Sequence, residues 1–214
     1  MNPKEFPHIL GAIIIYTLIA SLFFMIRGQF DLIALAFLSC AVIITLNILA
    51  KKTMAHLLDA DVEHETWLME RYGLRGNWKL KKPIPAGIIF PLFLSVFSIG
   101  LFKVPVFLTY ETRALKHRAA KRHGFYSFTE ITDWHNALIG AAGILSLLII
   151  SFIAYFLPIP NIEFFVKLSI YYAFWNLVPI SKLDGTQIFF GSRILWYTLA
   201  IITAIFTAFV IIIP

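Results

Sequence analysis

The chain has 214 residues, is 59% hydrophobic and only 14% charged, and carries a net charge of +6 from 18 Lys and Arg against 12 Asp and Glu. Soluble domains are about half apolar and about a quarter charged, so this composition excludes a disordered chain and an ordinary soluble enzyme. A single cysteine, Cys40, excludes a disulfide scaffold. The basic excess suits the anionic cytoplasmic face of a bilayer, and no basic stretch carries the interleaved aromatics of a nucleic-acid surface.

Taken in chain order, the apolar runs allow several crossings at roughly 20 residues each. Residues 1–8 lead into the first run with no small-residue cleavage site, which predicts an uncleaved span over 9–26 rather than a signal peptide. Arg27-Gly28-Gln29 is a turn, 32–50 a second span, and Lys51-Lys52 its stop. Residues 53–82 are polar and end in a basic run at Lys79, Lys81 and Lys82. The run 86–102 is apolar but short, contains Pro91 and Gly100, and lies between Pro85 and Pro105. Residues 104–110 are β-branched and aromatic and read as a short strand. A polar and basic stretch, 111–135, precedes spans at 137–157 and 164–180, the second carrying Lys167; the last span covers 194–213. The expected fold class is an all-α polytopic membrane protein with five to six transmembrane or re-entrant helices and a short β element near 104–110.

Segment 86–102 decides the topology. As a full span it would put the basic segments 51–82 and 103–135 on opposite sides, against the bias of Lys and Arg toward the cytoplasm. As a re-entrant hairpin it puts Lys4, the basic residues of 51–82, Lys103, those of 113–122, Lys182 and Arg193 on the cytoplasmic side, leaving only Arg27 and Lys167. The hairpin is favoured, with the N-terminus cytoplasmic and the chain integral to the cell membrane. Non-helical backbone at that depth must be covered by protein.

Three polar constellations stand out. In Asp59-Ala-Asp61-Val-Glu63-His64-Glu65-Thr-Trp67, read as a helix, Asp61 and Glu65 share a face four residues apart, the spacing with which a helix can grip one metal ion. The plainer reading is an amphipathic cytoplasmic helix with Leu57, Leu58, Val62, Trp67 and Leu68 on its apolar side. In Asn176-Leu-Val-Pro179-Ile-Ser-Lys-Leu183-Asp184-Gly185 an aspartate closes an aromatic span, and Asn and Pro inside a span need a reason; the plainer reading pairs Asp184 with Lys182 or Arg193. Around Thr129 to Asn136, Thr129 or Thr132 caps the next helix, Gly140-Ala-Ala-Gly143 allows close helix approach, and His135 is an interfacial polar residue or a ligand. The run from Lys116 to His123 reads as a contact to anionic lipid.

Residues 176–185 match at every fixed position the Asn-x-x-Pro-x-x-x-Leu-Asp-Gly motif of the site-2 protease family of intramembrane zinc metalloproteases, which the chain resembles over 53–190. Tyr72-Gly73 fits the family's Tyr-Gly-like turn, the broken apolar segment and short strand follow in order, and Gly140 fits loosely a later span entrance. The division implied is two N-terminal transmembrane helices (1–52), a site-2 protease-like core (53–190) and a C-terminal transmembrane helix (191–214). In the family a His-Glu-x-x-His helix supplies two zinc ligands and a general-base glutamate, and the Asp of Leu-Asp-Gly the third ligand; zinc brings its bound water to a pKa near 7 and polarises the peptide carbonyl. The resemblance makes Asp184 that ligand. The first motif is not intact. Alignment through Tyr72-Gly73 puts Asp61 and Glu65 at the histidines and Val62 at the base; alignment through His64-Glu65 puts Leu68 at the second ligand.

Three readings stay open. One is a degenerate member that keeps the fold and binds a membrane-embedded peptide or protein without hydrolysing it and without a cofactor. Another is an active metalloprotease with an altered shell: Asp184, His64 and Asp61 as metal ligands, Glu65 as the catalytic base, His135 in reserve, and zinc or another divalent metal, Mn or Mg being favoured by oxygen ligands. In both, Asn176 and Pro179 are the substrate-binding candidates, and Asp184 should lie within reach of the Asp61–Glu65 segment. The third is a small transporter or channel whose Asp184 and Lys167 line a path.

Overall fold

The computed structural model of the chain describes residues 5–71, 79–100, 103–115 and 131–212. Two long apolar helices, α1 (Glu5–Ile26) and α2 (Leu32–Leu57), are joined by a turn in which Gly28 takes φ 72°. Later come α4 (Asp133–Tyr155), α5 (Ile162–Leu177), the short α6 (Asp184–Gly191) and α7 (Arg193–Ile212). Among the described residues four helices, α1, α2, α4 and α7, are long and apolar enough to cross a membrane. α5 has 16 residues, about 24 Å at the helical rise, which is short of a hydrocarbon core of about 30 Å.

The core is an apolar seam of Tyr16, Ile43, Ile44, Ile144, Leu147, Leu168 and Tyr172. The Tyr16 hydroxyl, buried inside it, donates to the Leu168 carbonyl at 3.0 Å and ties α1 to α5. α2 packs most extensively on α4. Outward faces stay apolar: Ile194, Ile201, Ile205 and Ile211 of α7 are exposed, the pattern of helices bathed in lipid rather than water. α2 runs unbroken through position 52 and past the expected stop at Lys51-Lys52 to Leu57. The expected division at 52 thus falls inside a helix.

The segment read as a helix over Asp59–Trp67 is a strand. Asp59, at φ 53°, turns the chain out of α2, and β1 (Ala60–Thr66) alternates buried and outward residues along its length. Val62 and Thr66, β-branched and spaced by the period of two, bury one face while the acids take the other. β1 pairs antiparallel with β4 (Leu108–Ala114), from Ala60 opposite Ala114 to Thr66 opposite Leu108. A second pair, β2 (Met69–Arg71) and β3 (Lys79–Ile84), sets Met69 opposite Ile84. The strand expected at 104–110 begins at Leu108; 104–107 is a buried extended approach to it. Tyr72-Gly73, the run Lys116 to His123 and Thr129 lie outside the described residues.

Between the two sheets the chain makes a hairpin. α3 (Ala86–Phe97) stops at a 6→1 turn, with Gly100 N–H bonded to the Ser95 carbonyl at 2.8 Å and Ile99 N–H to Val96 at 3.1 Å, the paired bonds of a Schellman motif. The chain then returns, and the Phe107 N–H meets the Gly87 carbonyl at 3.1 Å. The two ends of segment 86–107 are therefore joined by backbone hydrogen bonding. The Lys103 ammonium lies 5.6 Å from the Phe24 ring and 4.7 Å from the Phe164 ring, near the last turn of α1 and the first of α5, the end away from Asp184.

Candidate functional site

The segment after α5 is shaped by its own residues. Val178 is extended at ψ 126°, as a residue before proline must be, so α5 ends and Pro179 sits exposed in the connection. Ser181 turns at φ 53° and accepts the Trp67 indole N–H at 3.0 Å. Leu183 caps α6, whose first residue is the fully buried Asp184. Gly185 is required there, because any Cβ would collide with the Leu177 carbonyl oxygen. The Leu-Asp-Gly spacing thus folds α6 back on the end of α5 and drives a carboxylate into the bundle.

Asp184 meets a lysine. Lys51 Nζ lies 2.6 Å from Asp184 Oδ2, with the two side chains 1% and 0% exposed. Lys51 comes from α2, and Asn47, one turn earlier on the same face, is buried beside it. Both abut α4 at Gly143, where a Cβ would come within 2.7 Å of Asn47 Nδ2 and of Lys51 Cε. Gly140, one turn before, leaves room for Tyr110, whose hydroxyl a Cβ would approach to 2.8 Å. Tyr110 itself donates to the Asn136 carbonyl at 2.7 Å, offers its ring to Lys51 Nζ at 4.9 Å, and takes the Gln187 amide on its carbonyl at 3.2 Å. Burial first, then the Asp184 charge, push the Tyr110 phenol well above its ordinary range, so it is a neutral donor. Asn47 Nδ2, Asn176 Oδ1, Asp184 Oδ1 and Thr186 Oγ1 are buried without a hydrogen-bond partner. Asn176 spends its amide on the Tyr172 carbonyl at 2.9 Å.

His64 stands beside the Tyr110 ring, 6.3 Å between ring centroids. Its Nδ1 bonds Glu5 Oε1 at 2.8 Å, and Lys52 Nζ bonds Glu5 Oε2 at 2.6 Å. Consecutive lysines of α2 therefore serve different partners, Lys51 reaching α6 and Lys52 reaching α1. Burial holds the His64 imidazole below its ordinary value of 6.5, against the pull of Glu5.

The other candidates lie elsewhere. Asp61 and Glu65 project from the outward face of β1 and are exposed. Asp61 Oδ1 accepts the Val62 N–H at 2.9 Å, and Glu65 is paired in register with Thr109. A strand, unlike a helix, sends His64 to the opposite face from Asp61 and Glu65, so the buried His64 and the two exposed acids do not share a site. His135 lies in the first turn of α4 against the Thr132 hydroxyl; Thr132 is the N-cap residue by backbone position. Among the described residues no three His, Cys, Asp or Glu side chains gather where one metal ion would touch them all. The donors around Asp184 do not suit a divalent cation either: an ammonium holds the carboxylate, and Asn47 and Ile48 supply no anionic or imidazole ligand.

Two cavities flank this centre. A polar cleft of about 620 Å³ opens over Tyr110, Glu111 and Thr112 of β4 and Thr186 and Gln187 of α6, with Lys182 at its rim. An apolar pocket of about 130 Å³ lies under the 178–183 connection, between Trp67, Phe90, Phe107 and Trp175. Lys51, Asn47 and Glu5 were missed at the level of sequence, where Lys51 was read as a span's stop. The signal available was Asn47 and Lys51, polar and four apart, in a helix otherwise apolar to its last turns. No protein-family model, no curated protein and no solved structure matches this chain.

Proposed function

We propose that this protein is an integral membrane protein of the site-2 protease-like class that binds a membrane-embedded peptide or protein without hydrolysing it. The observation that carries the reading is the 176–185 segment, folded so that Asp184 is delivered to an Asn47/Lys51 pair spaced as the resembled family's two helix ligands are. Neither candidate position holds a base here: Ile48 follows Asn47, and Glu65 is on the outward face of β1. Without a base or a metal-activated water, peptide hydrolysis has no proton acceptor and no nucleophile. A polar cleft beside β4 and an apolar pocket under the connecting loop supply the two surfaces an unwinding peptide needs, polar contacts and a side-chain socket. The cations of the Asp184 end, among them Lys52, Lys182 and Arg193, support a cytoplasmic orientation for it, with the N-terminus on that side.

The test uses detergent-purified full-length protein carrying a photo-cross-linker at Lys182, at the cleft, or at Ile211, at the other end of α7. The probe is a synthetic apolar helical peptide of about 20 residues. Cross-linking at 182 well above 211, competed by unlabelled peptide, with the peptide intact and no stoichiometric metal, is the expected result. Cleaved peptide together with about one metal equivalent per chain would instead establish an active metalloprotease with an altered shell, and equal labelling at the two positions would end the peptide-binding reading.

A further inference from the structure

Resting on that reading, we propose that the Lys51 ammonium is a built-in substitute for the metal ion of the resembled proteases, neutralising Asp184 and tying α2 to α6 with no cofactor. Place, spacing and charge each support this. A zinc–carboxylate bond is about 2.0–2.2 Å long, and Lys51 Nζ is 2.6 Å from Asp184 Oδ2, so the nitrogen stands roughly half an ångström beyond the point a ligated metal would occupy. Asn47, Ile48 and Lys51 hold the first, second and fifth positions of one helical stretch, the spacing of His-Glu-x-x-His, and the first and fifth both press on Gly143.

The charges then account for the substitutions as a set. In the resembled site the two positive charges of zinc face two carboxylates, the third ligand and the base. Here one ammonium faces one carboxylate, and the buried, apolar Ile48 stands in the base's position. Exchanging a doubly charged metal for one ammonium and a carboxylate base for an apolar side chain each removes one unit of charge, of opposite sign, and the buried centre stays neutral. Either change alone would leave an uncompensated charge out of reach of water.

The test is conversion. In full-length protein, N47H/K51H is expected to take up about one equivalent of zinc by elemental analysis and to melt at higher temperature when zinc is added. Adding D184A to that pair should weaken zinc retention about tenfold or more, and the wild type should take up none. A folded N47H/K51H that binds no zinc, or binds it equally with D184A, overturns the substitution; the functional reading, which stands on peptide capture by the wild type, is judged separately. If N47H/K51H stays unfolded even with zinc, Lys51→Met and the double variant K51M/D184N decide. A fall in Tm in the first that is largely recovered in the second supports the substitution, and a fall without recovery overturns it.

Discussion

At the scale of single residues, burial sets the consequences. Removing one partner of a buried ion pair typically costs about 3–5 kcal/mol, whereas replacing both can be close to neutral, so Lys51→Ala should destabilise far more than the pair K51M/D184L in thermal melts. Gly185 has no room for a methyl group against the Leu177 carbonyl. Gly185→Ala should therefore forfeit a stable fold or cost about 3 kcal/mol or more, and a melt within a few degrees of wild type would show that the α5–α6 connection shifts freely. His64 adds a pH dependence. Its folded value lies below 6.5, so below that pH the unfolded chain takes up the proton more readily. Stability should fall as pH drops from about 6.5 toward the folded value, with a slope of at most about 1.4 kcal/mol per pH unit for this one group. Comparing Tm from pH 7.5 to 5.5, His64→Asn should show the flatter profile, because its amide can still reach Glu5 but does not titrate.

At the scale of elements, the β1 segment shows where pattern reading is weakest. Asp61, Glu63 and Glu65 alternate with Val62, His64 and Thr66, a period of two, yet Asp61 and Glu65 also satisfy the four-residue spacing of a helix. Pairing with β4, more than forty residues away in sequence, decides between them. The α3 hairpin was more legible: Pro85, Pro91, Gly100 and Pro105 mark a broken segment, and the structure closes it through Gly87 and Phe107. Its tip carries strain. Ile99 takes the left-handed position at φ 55° with its side chain 63% exposed, a conformation costing a non-glycine residue about 1–2 kcal/mol. Ile99→Gly is expected to raise stability by about 1 kcal/mol; an unchanged or lower Tm would mean that the side chain contributes packing that offsets its backbone.

At the scale of the whole molecule, the proposed membrane topology turns on segment 86–107, which decides which surfaces would share a side of the bilayer. Pro83 and Arg113 flank it and are exposed, while Gln29 lies in the α1–α2 turn at the other end. In a Cys40→Ala background, single cysteines at 83 and 113 should both react with an impermeant maleimide only after the cells are opened, and a cysteine at 29 should react in intact cells. Labelling of 83 and 113 from opposite sides would make 86–107 a crossing and remove the common end on which the cleft, the β1–β4 sheet and Asp184 converge.

The apolar composition, the long helices and the break in the 86–102 run follow from the sequence alone, because length, hydropathy, proline and glycine act locally. The partner of Asp184 does not. Lys51 and Asp184 are separated by most of the chain, and at the level of sequence a lysine closing an apolar run looks like a helix ending at a bilayer surface. Only the packing of α2 against Gly143 of α4, and of α6 against the end of α5, turns that lysine inward. A buried charge must find its opposite, and which opposite it finds depends on helices that meet only in the folded bundle.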